Sequence, residues 1–189
     1  MKKALGVIPA VFPMPVLMVA AYDENMQVNV MNLAWGTICS RNHIALFIGE
    51  NHKTTENIRK TGAFTVSLAD RAHMMEADYF GGVSGKNVPD KFERAGFHAE
   101  KSSFVNAPVI EEFPVVLECR VEEIIKNDIF YCVVGEIMNV SAEEGVLSED
   151  GKVDPGKLDS LMYDVFQKGY YAAAEKVGQA GVERKGLMG

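Results

Sequence analysis

The sequence predicts a mainly β protein, built on an antiparallel sheet that closes fully or in part into a barrel. Strand-like runs follow one another without the regular alternation with long helices that a doubly wound fold requires. Two long strand-like segments, 114–122 and 129–138, are adjacent in the C-terminal half, as an antiparallel pair would be. No repeat, low-complexity stretch or linker divides the 189 residues, of which 48% are hydrophobic. One domain spanning residues 1–189, with a sizeable core, is therefore expected.

The N-terminal 22 residues place two lysines before an apolar stretch, but Pro9, Pro13 and Pro15 interrupt any helical signal segment. No run reaches the ~18 apolar residues of a spanning helix, so no membrane role and a cytoplasmic location are expected. Residues 16–22 are apolar on both faces, Asp23-Glu24-Asn25 makes a turn, and 27–35 continues extended, which predicts a hairpin inside a sheet. Residues 44–49 form a short apolar strand. A helix over 54–60 ends at Gly62, where glycine suits a left-handed cap. Residues 63–68 are the next strand.

Residues 70–80 have helical character, with Asp70 as N-cap. Residues 81–89 are glycine-rich loop, and 90–96 a short helical turn. In 114–122, Val115, Leu117, Cys119 and Val121 share one face, and the other is mostly polar. Residues 129–138 are apolar on both faces, as in a central or covered strand. An acidic loop over 148–155 precedes a final helix over 164–177, with Val165, Tyr170-Tyr171 and Ala173-Ala174 available for packing.

The net charge of −7, with both signs interspersed, argues against nucleic-acid or anionic-membrane binding. Cys39, Cys119 and Cys132 have no zinc-type spacing, and the last two sit in apolar runs as buried thiols. His43, His52, His73 and His98 are scattered without metal-ligand spacing, and no metal is expected. Glu111-Glu112 and Glu122-Glu123 read as solvated face or turn rather than as paired acid–base carboxylates.

The densest functional signal is 28–40, VNVMNLAWGTICS, followed by His52-Lys53-Thr54-Thr55. An extended segment offers backbone N–H and C=O groups to the edge of a flat ring. Ala34, Gly36 and Thr37 are small enough for close approach, and Asn29 and Asn32 add amides. Lys53, Thr54 and Thr55 open a helix whose free N–H groups and dipole attract an anion, with a Ser40 hydroxyl in reserve. The pair of features suits flavin mononucleotide (FMN), ring on the strand and phosphate at the helix. The plainer alternatives are a core tryptophan at Trp35 and an ordinary helix start with Lys53 in solvent.

In order along the chain, Pro13-Met14-Pro15-Val16, Asn29-Val30-Met31-Asn32-Leu33-Ala34-Trp35-Gly36, Cys39-Ser40, Lys53-Thr54-Thr55-Glu56-Asn57-Ile58 and Thr61-Gly62-Ala63-Phe64-Thr65-Val66-Ser67-Leu68 resemble the flavin reductase-like family, and within it the flavoredoxin branch. Ser84-Gly85-Lys86, Asp90-Lys91-Phe92, Ala107-Pro108-Val109-Ile110, Leu117-Glu118-Cys119 and Val134-Gly135-Glu136 continue the series. The resemblance implies an FMN-binding Greek-key split β-barrel of six strands with peripheral short helices. It also implies non-covalent FMN and a homodimer with the flavin near the subunit interface.

On that resemblance the ring lies along Met31, Asn32, Leu33, Ala34, Trp35, Gly36 and Thr37. The phosphate meets Ser40, Lys53 and Thr54; His52 and Thr55 adjoin that cluster, and Cys39 lies within the suspected site. Gly82, Ser84 and Gly85 close over the flavin. Asp90-Lys91-Phe92 either lines the pocket or is a solvated turn with Phe92 in the core. Arg41-Asn42-His43 stands where relatives carry a proline pair, and Asn32 where threonine or serine is commoner, which bears on the mouth of the site.

The implied activity is an FMN-dependent oxidoreductase, with no catalytic side chain because the reactive atom belongs to the flavin. Its donor is NAD(P)H in a flavin reductase, or a redox protein in a flavoredoxin-like electron carrier. No glycine-rich dinucleotide fingerprint is present in the required context. The alternative is a non-enzymatic split-barrel module, a flavin or haem carrier or sensor, although no histidine can be assigned as an axial ligand.

Overall fold

The computed structural model describes residues 1–172 and 175–180. From the N-terminus the elements are β1 (Met14–Pro15), β2 (Leu17–Tyr22), β3 (Val28–Leu33), β4 (Gly36–Ser40), β5 (His43–Phe47), α1 (Lys53–Thr61) and β6 (Ala63–Leu68). A 3₁₀ turn at Arg71–His73 leads into α2 (Met74–Gly82), then α3 (Lys91–Arg94), β7 (Ala99–Lys101) and β8 (Pro108–Ile110). The chain continues through β9 (Val115–Lys126), β10 (Tyr131–Ala142), α4 (Pro155–Leu158), β11 (Met162–Asp164) and β12 (Gly169–Tyr171).

Seven strands form one curled antiparallel sheet in the order β3-β2-β6-β9-β10-β5-β4, the half-barrel of a split-barrel fold. β2 explains why the sheet has a core on each side. Its six residues are all buried, and because side chains alternate, Leu17, Val19 and Ala21 enter one cluster with Phe64, Val66, Cys119 and Val133. Met18 and Ala20 enter the other, with Ala77, Phe80, Phe92 and Phe97. α2 and α3 therefore cover the outer face of β2 and β3, and the site forms at their margin.

Several expectations hold closely. β6 spans the predicted residues, and α1 stops at Gly62, whose φ of 68° is the left-handed cap and whose N–H donates to the Ile58 carbonyl. Asp70 caps the turn before α2 by accepting from the His73 N–H. Cys119 and Cys132 are buried free thiols, and burial pushes the Cys119 thiol up to about 12.

Other expectations need correction. The hairpin β2–β3 is interior only at β2, because β3 forms an edge of the sheet. Gly81 and Gly82 belong to the last turn of α2 rather than to the following loop. Glu118 of β9 is buried, although its face reads as polar. The final helix over 164–177 is absent from the described residues it covers: β11 and β12 form a hairpin that β1 extends to three strands. A distant edge, Met14 and Pro15 against Tyr163 and Met162, overrides the local helical tendency. Ala173-Ala174 lie outside the described residues.

Candidate functional site

Where α1 begins, three segments converge on a small cleft of about 170 Å³: β3 through Asn29 and Met31, the start of α1, and the 80–85 stretch. The first turn of α1 is left without a side-chain cap by its own sequence. His52 occupies the N-cap position and supplies no side-chain cap, so the leading N–H groups face outward. Asn29 donates to the Thr54 hydroxyl oxygen at 2.6 Å, which leaves the Thr54 hydroxyl proton free to donate in turn. Lys53 is half-buried and its Nζ lies 3.3 Å from Glu56. Glu56 is also paired with Lys60, and these two cations hold its carboxyl below the usual range, so Lys53 need not stay committed to it.

Lys91 enters the same cleft from α3. It is 2% exposed, and its Nζ donates to the carbonyls of Val83 at 2.7 Å and Phe80 at 3.3 Å. Those carbonyls close α2, where a cation is favoured by the helix dipole. The ammonium has three protons and spends two; no carboxylate pairs with it among the described residues. Burial brings its pKa down to about 8. The 83–85 loop lies so tightly on β3 that a Cβ on Gly85 would come within 2.1 Å of Asn29 Oδ1.

A second cleft of about 660 Å³ shares Gly81 and Gly82 with the first and extends to Asn32, Ala34 and Trp35. Asp78, Tyr163, Tyr170 and Lys168 form the rest of its wall. Trp35 is 48% exposed and is not a core residue. The Tyr170 hydroxyl donates to Asp78 at 3.0 Å and accepts from Asn32 at 3.4 Å, and Asn32 also donates to the Ala77 carbonyl.

The structure thus gathers Asn29, Met31, His52, Lys53, Thr54, Gly82 and Ser84 at the first cleft, and Asn32, Ala34, Trp35 and Gly82 at the second. It does not bring the remaining candidates to either. Leu33 is buried in the barrel core. Gly36 is small for a packing reason, since a Cβ there would lie 2.5 Å from Leu17 Cδ1. Thr37, Cys39 and Ser40 are exposed on β4, with Ser40 bonded to His43 at 2.8 Å. Thr55 is buried and donates to the Gly49 carbonyl. Residue reasoning missed Tyr163, Asp78 and Lys168, and left Lys91 between two roles. Lys91 is not a solvated turn residue, and its signal in the sequence was the lysine set directly before a core phenylalanine.

No cluster that could hold a metal ion occurs among the described residues, and no described helix is long and apolar enough to cross a membrane. His73 and His98 are engaged with Asp70 and Glu112, His43 with Ser40.

Residues 10–171 match the family model of the flavin reductase like domain. The fold superposes on flavoredoxin of Desulfovibrio vulgaris (Miyazaki F) with a TM-score of 0.92 and 34% identity, covering 96% of this chain and 98% of that one. Flavoredoxin from Methanosarcina acetivorans gives a TM-score of 0.88 at 29% identity, covering 99% and 100%. An FMN-binding protein from Thermus thermophilus shares the fold, with a TM-score of 0.78 at 22% identity over 95% and 98% of the two chains.

Proposed function

The chain belongs to the flavin reductase-like domain family, and from that premise we propose that it is an FMN-dependent redox protein taking electrons from NAD(P)H or a redox partner. The observation that carries the reading is the uncapped start of α1 beside two lysines and a free hydroxyl proton. A terminal phosphate supplies what that cleft lacks: an acceptor for the leading N–H groups, for Thr54 and for the ammonium groups of Lys53 and Lys91. At about 170 Å³ it is too small for a complete small-molecule site, typically about 300–1,000 Å³. The shared wall at Gly81 and Gly82 leads to the larger cleft, which suits the ring of the same molecule. A flavin named in a related structure of the same fold supports FMN as that molecule.

When bound, FMN supplies the redox chemistry. The protein's part is to hold and shield it. Asn29 orients Thr54, Gly85 lets the loop press against Asn29 and Lys53, and α2 walls the junction of the clefts. Tyr170, pushed up to about 12 mainly by burial and next by Asp78, stays a neutral phenol at neutral pH.

A homodimer belongs to the same reading. Ile38, Phe47, Ile124, Ile125, Met138 and Val140 are exposed along β4, β5, β9 and β10. Phe47 and Ile125 both stand opposite Cys132 and so share one face of the sheet, and a second copy is the occupant we infer for that apolar patch.

The test is direct. The purified protein carries, or takes up, one FMN per chain with the visible absorption of an oxidised flavin, and anaerobic NADH or NADPH bleaches it if a nicotinamide is the donor. A colourless protein that refuses added FMN defeats the reading.

A further inference from the structure

Residues 1–13 are exposed throughout and form an arm that belongs to no strand or helix. Leu5, Val7 and Val11 each leave more than half of their surface uncovered. Phe12 meets Tyr171 edge to face, with ring centroids 5.5 Å apart, and ties the root of the arm to the C-terminal hairpin. Pro9 and Pro13 stiffen the arm by fixing φ, so holding it costs less freedom than holding an ordinary tail. It carries Lys2 and Lys3 and no acidic residue, on a chain whose net charge is −7.

A groove of about 420 Å³ lies between the end of β5 and the turn that joins β9 to β10. Phe47 and Phe130 meet edge to face on its wall, 5.5 Å between ring centroids. Ile129 crowns the turn with 91% of its surface exposed. The turn is stiff, because Asn127 Oδ1 accepts from the N–H groups of both Ile129 and Phe130. On the rim, Lys126 and Glu50 neutralise each other at 2.8 Å, and exposed Asp128 sets the remaining sign. Phe47 also belongs to the patch assigned above to a second copy.

The arm cannot fill the groove of its own chain. β2 and β9 are each antiparallel to β6 and so run the same way, which means that the chain before Leu17 leaves the sheet where β9 begins. The groove lies where β9 ends: ten residues of strand, roughly 33 Å, separate Val116 from Lys126. The apolar residues from Leu5 to Val11 lie within seven residues of Phe12, a reach of at most ~25 Å when straight. A two-fold axis removes the mismatch, because it sets the root of one chain beside the far end of another and repeats the contact symmetrically.

We propose that the arm of each protomer lies in the β5 and β9–β10 groove of its partner, with Val7, Ile8 and Val11 against the partner's Phe47, the partner's Ile129 and the partner's Phe130. The lysines of the arm carry the charge that suits the rim at Asp128. The inference rests on the homodimer reading and deepens it by naming the segment that each copy contributes.

Sedimentation of the FMN-loaded protein over a range of concentrations measures the dimer dissociation constant. Val7→Asp combined with Val11→Asp should raise it on the order of 100-fold, since both symmetric arms lose buried aliphatic contacts. Ile129→Asp should raise it comparably, and joining the arm and groove changes should add less than their sum. Met75→Asp, at an exposed residue of α2, should leave it unchanged. Unfolding midpoints measured below the dimer range stay those of the parent, as these side chains are exposed within one chain. A second measurement locates the arm. Copies bearing Val7→Cys, Ile8→Cys or Val11→Cys are co-expressed with differently tagged Ile129→Cys copies, all with Cys39→Ser to remove the exposed native thiol. Mild oxidation should join the two tags by a disulfide.

A dissociation constant unmoved by the arm variant overturns the placement while leaving the homodimer standing. Full additivity of arm and groove changes overturns it as well, and so does the absence of a bond between tags at all three arm positions. A parent that sediments as a monomer overturns the arm and the homodimer together. FMN uptake, read by absorbance on the same samples, decides the cofactor reading separately.

Discussion

Glu118 and Lys91 are both charged residues with only 2% of their surface exposed, yet the protein treats them in opposite ways. The Glu118 carboxylate accepts from the hydroxyls of Ser102 and Ser141 and from the Asn139 amide at 2.7 Å, a shell assembled from β10 and the segment after β7. Lys91 is given two helix-end carbonyls, a phenylalanine ring 5.9 Å from its Nζ, and an open side toward a cleft. A buried charge is tolerated when its hydrogen bonds are complete. The first group is finished by the fold. The second keeps one proton unspent at the wall of the cleft, as a group that a bound phosphate would complete on the reading proposed above.

The largest effect should come from breaking the closed shell. Glu118→Leu leaves the buried Ser102 hydroxyl, the half-buried Asn139 amide and the exposed Ser141 hydroxyl without their shared acceptor and is expected to cost about 3–5 kcal/mol of stability, the sum of three bonds to a charged group. Urea unfolding measures this, and the folded fraction should retain FMN as the parent does. A neutral result would mean that the shell hydrates freely and that the contrast with Lys91 is not one of completeness.

The second effect follows from the open shell. The Lys91 pKa falls from 10.5 to about 8 on folding because of burial. Between those values the unfolded chain holds more protons than the folded one, so stability rises with pH across that window. Below pH ~8 both states are charged and the cost of burial is fully present, on the order of 2–3 kcal/mol for the apo-protein. Lys91→Met should flatten the profile, and so should bound FMN, whose phosphate favours the ammonium alongside Lys53. Unfolding midpoints from neutral to alkaline pH, with and without FMN, check both.

The same contrast explains what could be read from residues alone. β6 and α1 were legible because an apolar strand run, a threonine helix start and Gly62 act locally. The helix start proposed for the phosphate was legible for the same reason, as Lys53, Thr54 and Thr55 are neighbours in the chain. The ring end was harder to read. Gly36 looks like a residue made small for a ligand and is small for Leu17. The wall formed by Tyr163, Lys168 and Tyr170 depends on a hairpin stabilised by Met14 and Pro15, about 150 residues away in sequence. The burial of Glu118 required Ser102 to meet Asn139 and Ser141 of β10 across the sheet, which no spacing announces.

Lys53→Ala tests the site without touching either buried charge. Lys53 lies beside the uncapped amides, and its ammonium supplies a charge-assisted contact to a phosphate. Its loss should weaken FMN binding by about 1.5–3 kcal/mol, read as a 10- to 150-fold rise in Kd, while unfolding without FMN changes little. Unchanged retention would move the phosphate away from α1.

The smallest effect is expected from Tyr170→Phe. Its hydroxyl joins Asp78 on α2 to Asn32 on β3 and pins the C-terminal hairpin over the cleft. Asp78 is exposed, and Asn32 keeps its bond to the Ala77 carbonyl, so water replaces what the phenol withdraws. The expected loss is about 0.5–1 kcal/mol, the ordinary net value of a hydrogen bond that solvent can remake. At Glu118 each bond is worth more because its acceptor is a charged carboxylate with 2% of its surface exposed. A Tyr170→Phe variant as damaged as Glu118→Leu would show that the cleft is sealed like the core, and then no ring could enter beside Trp35.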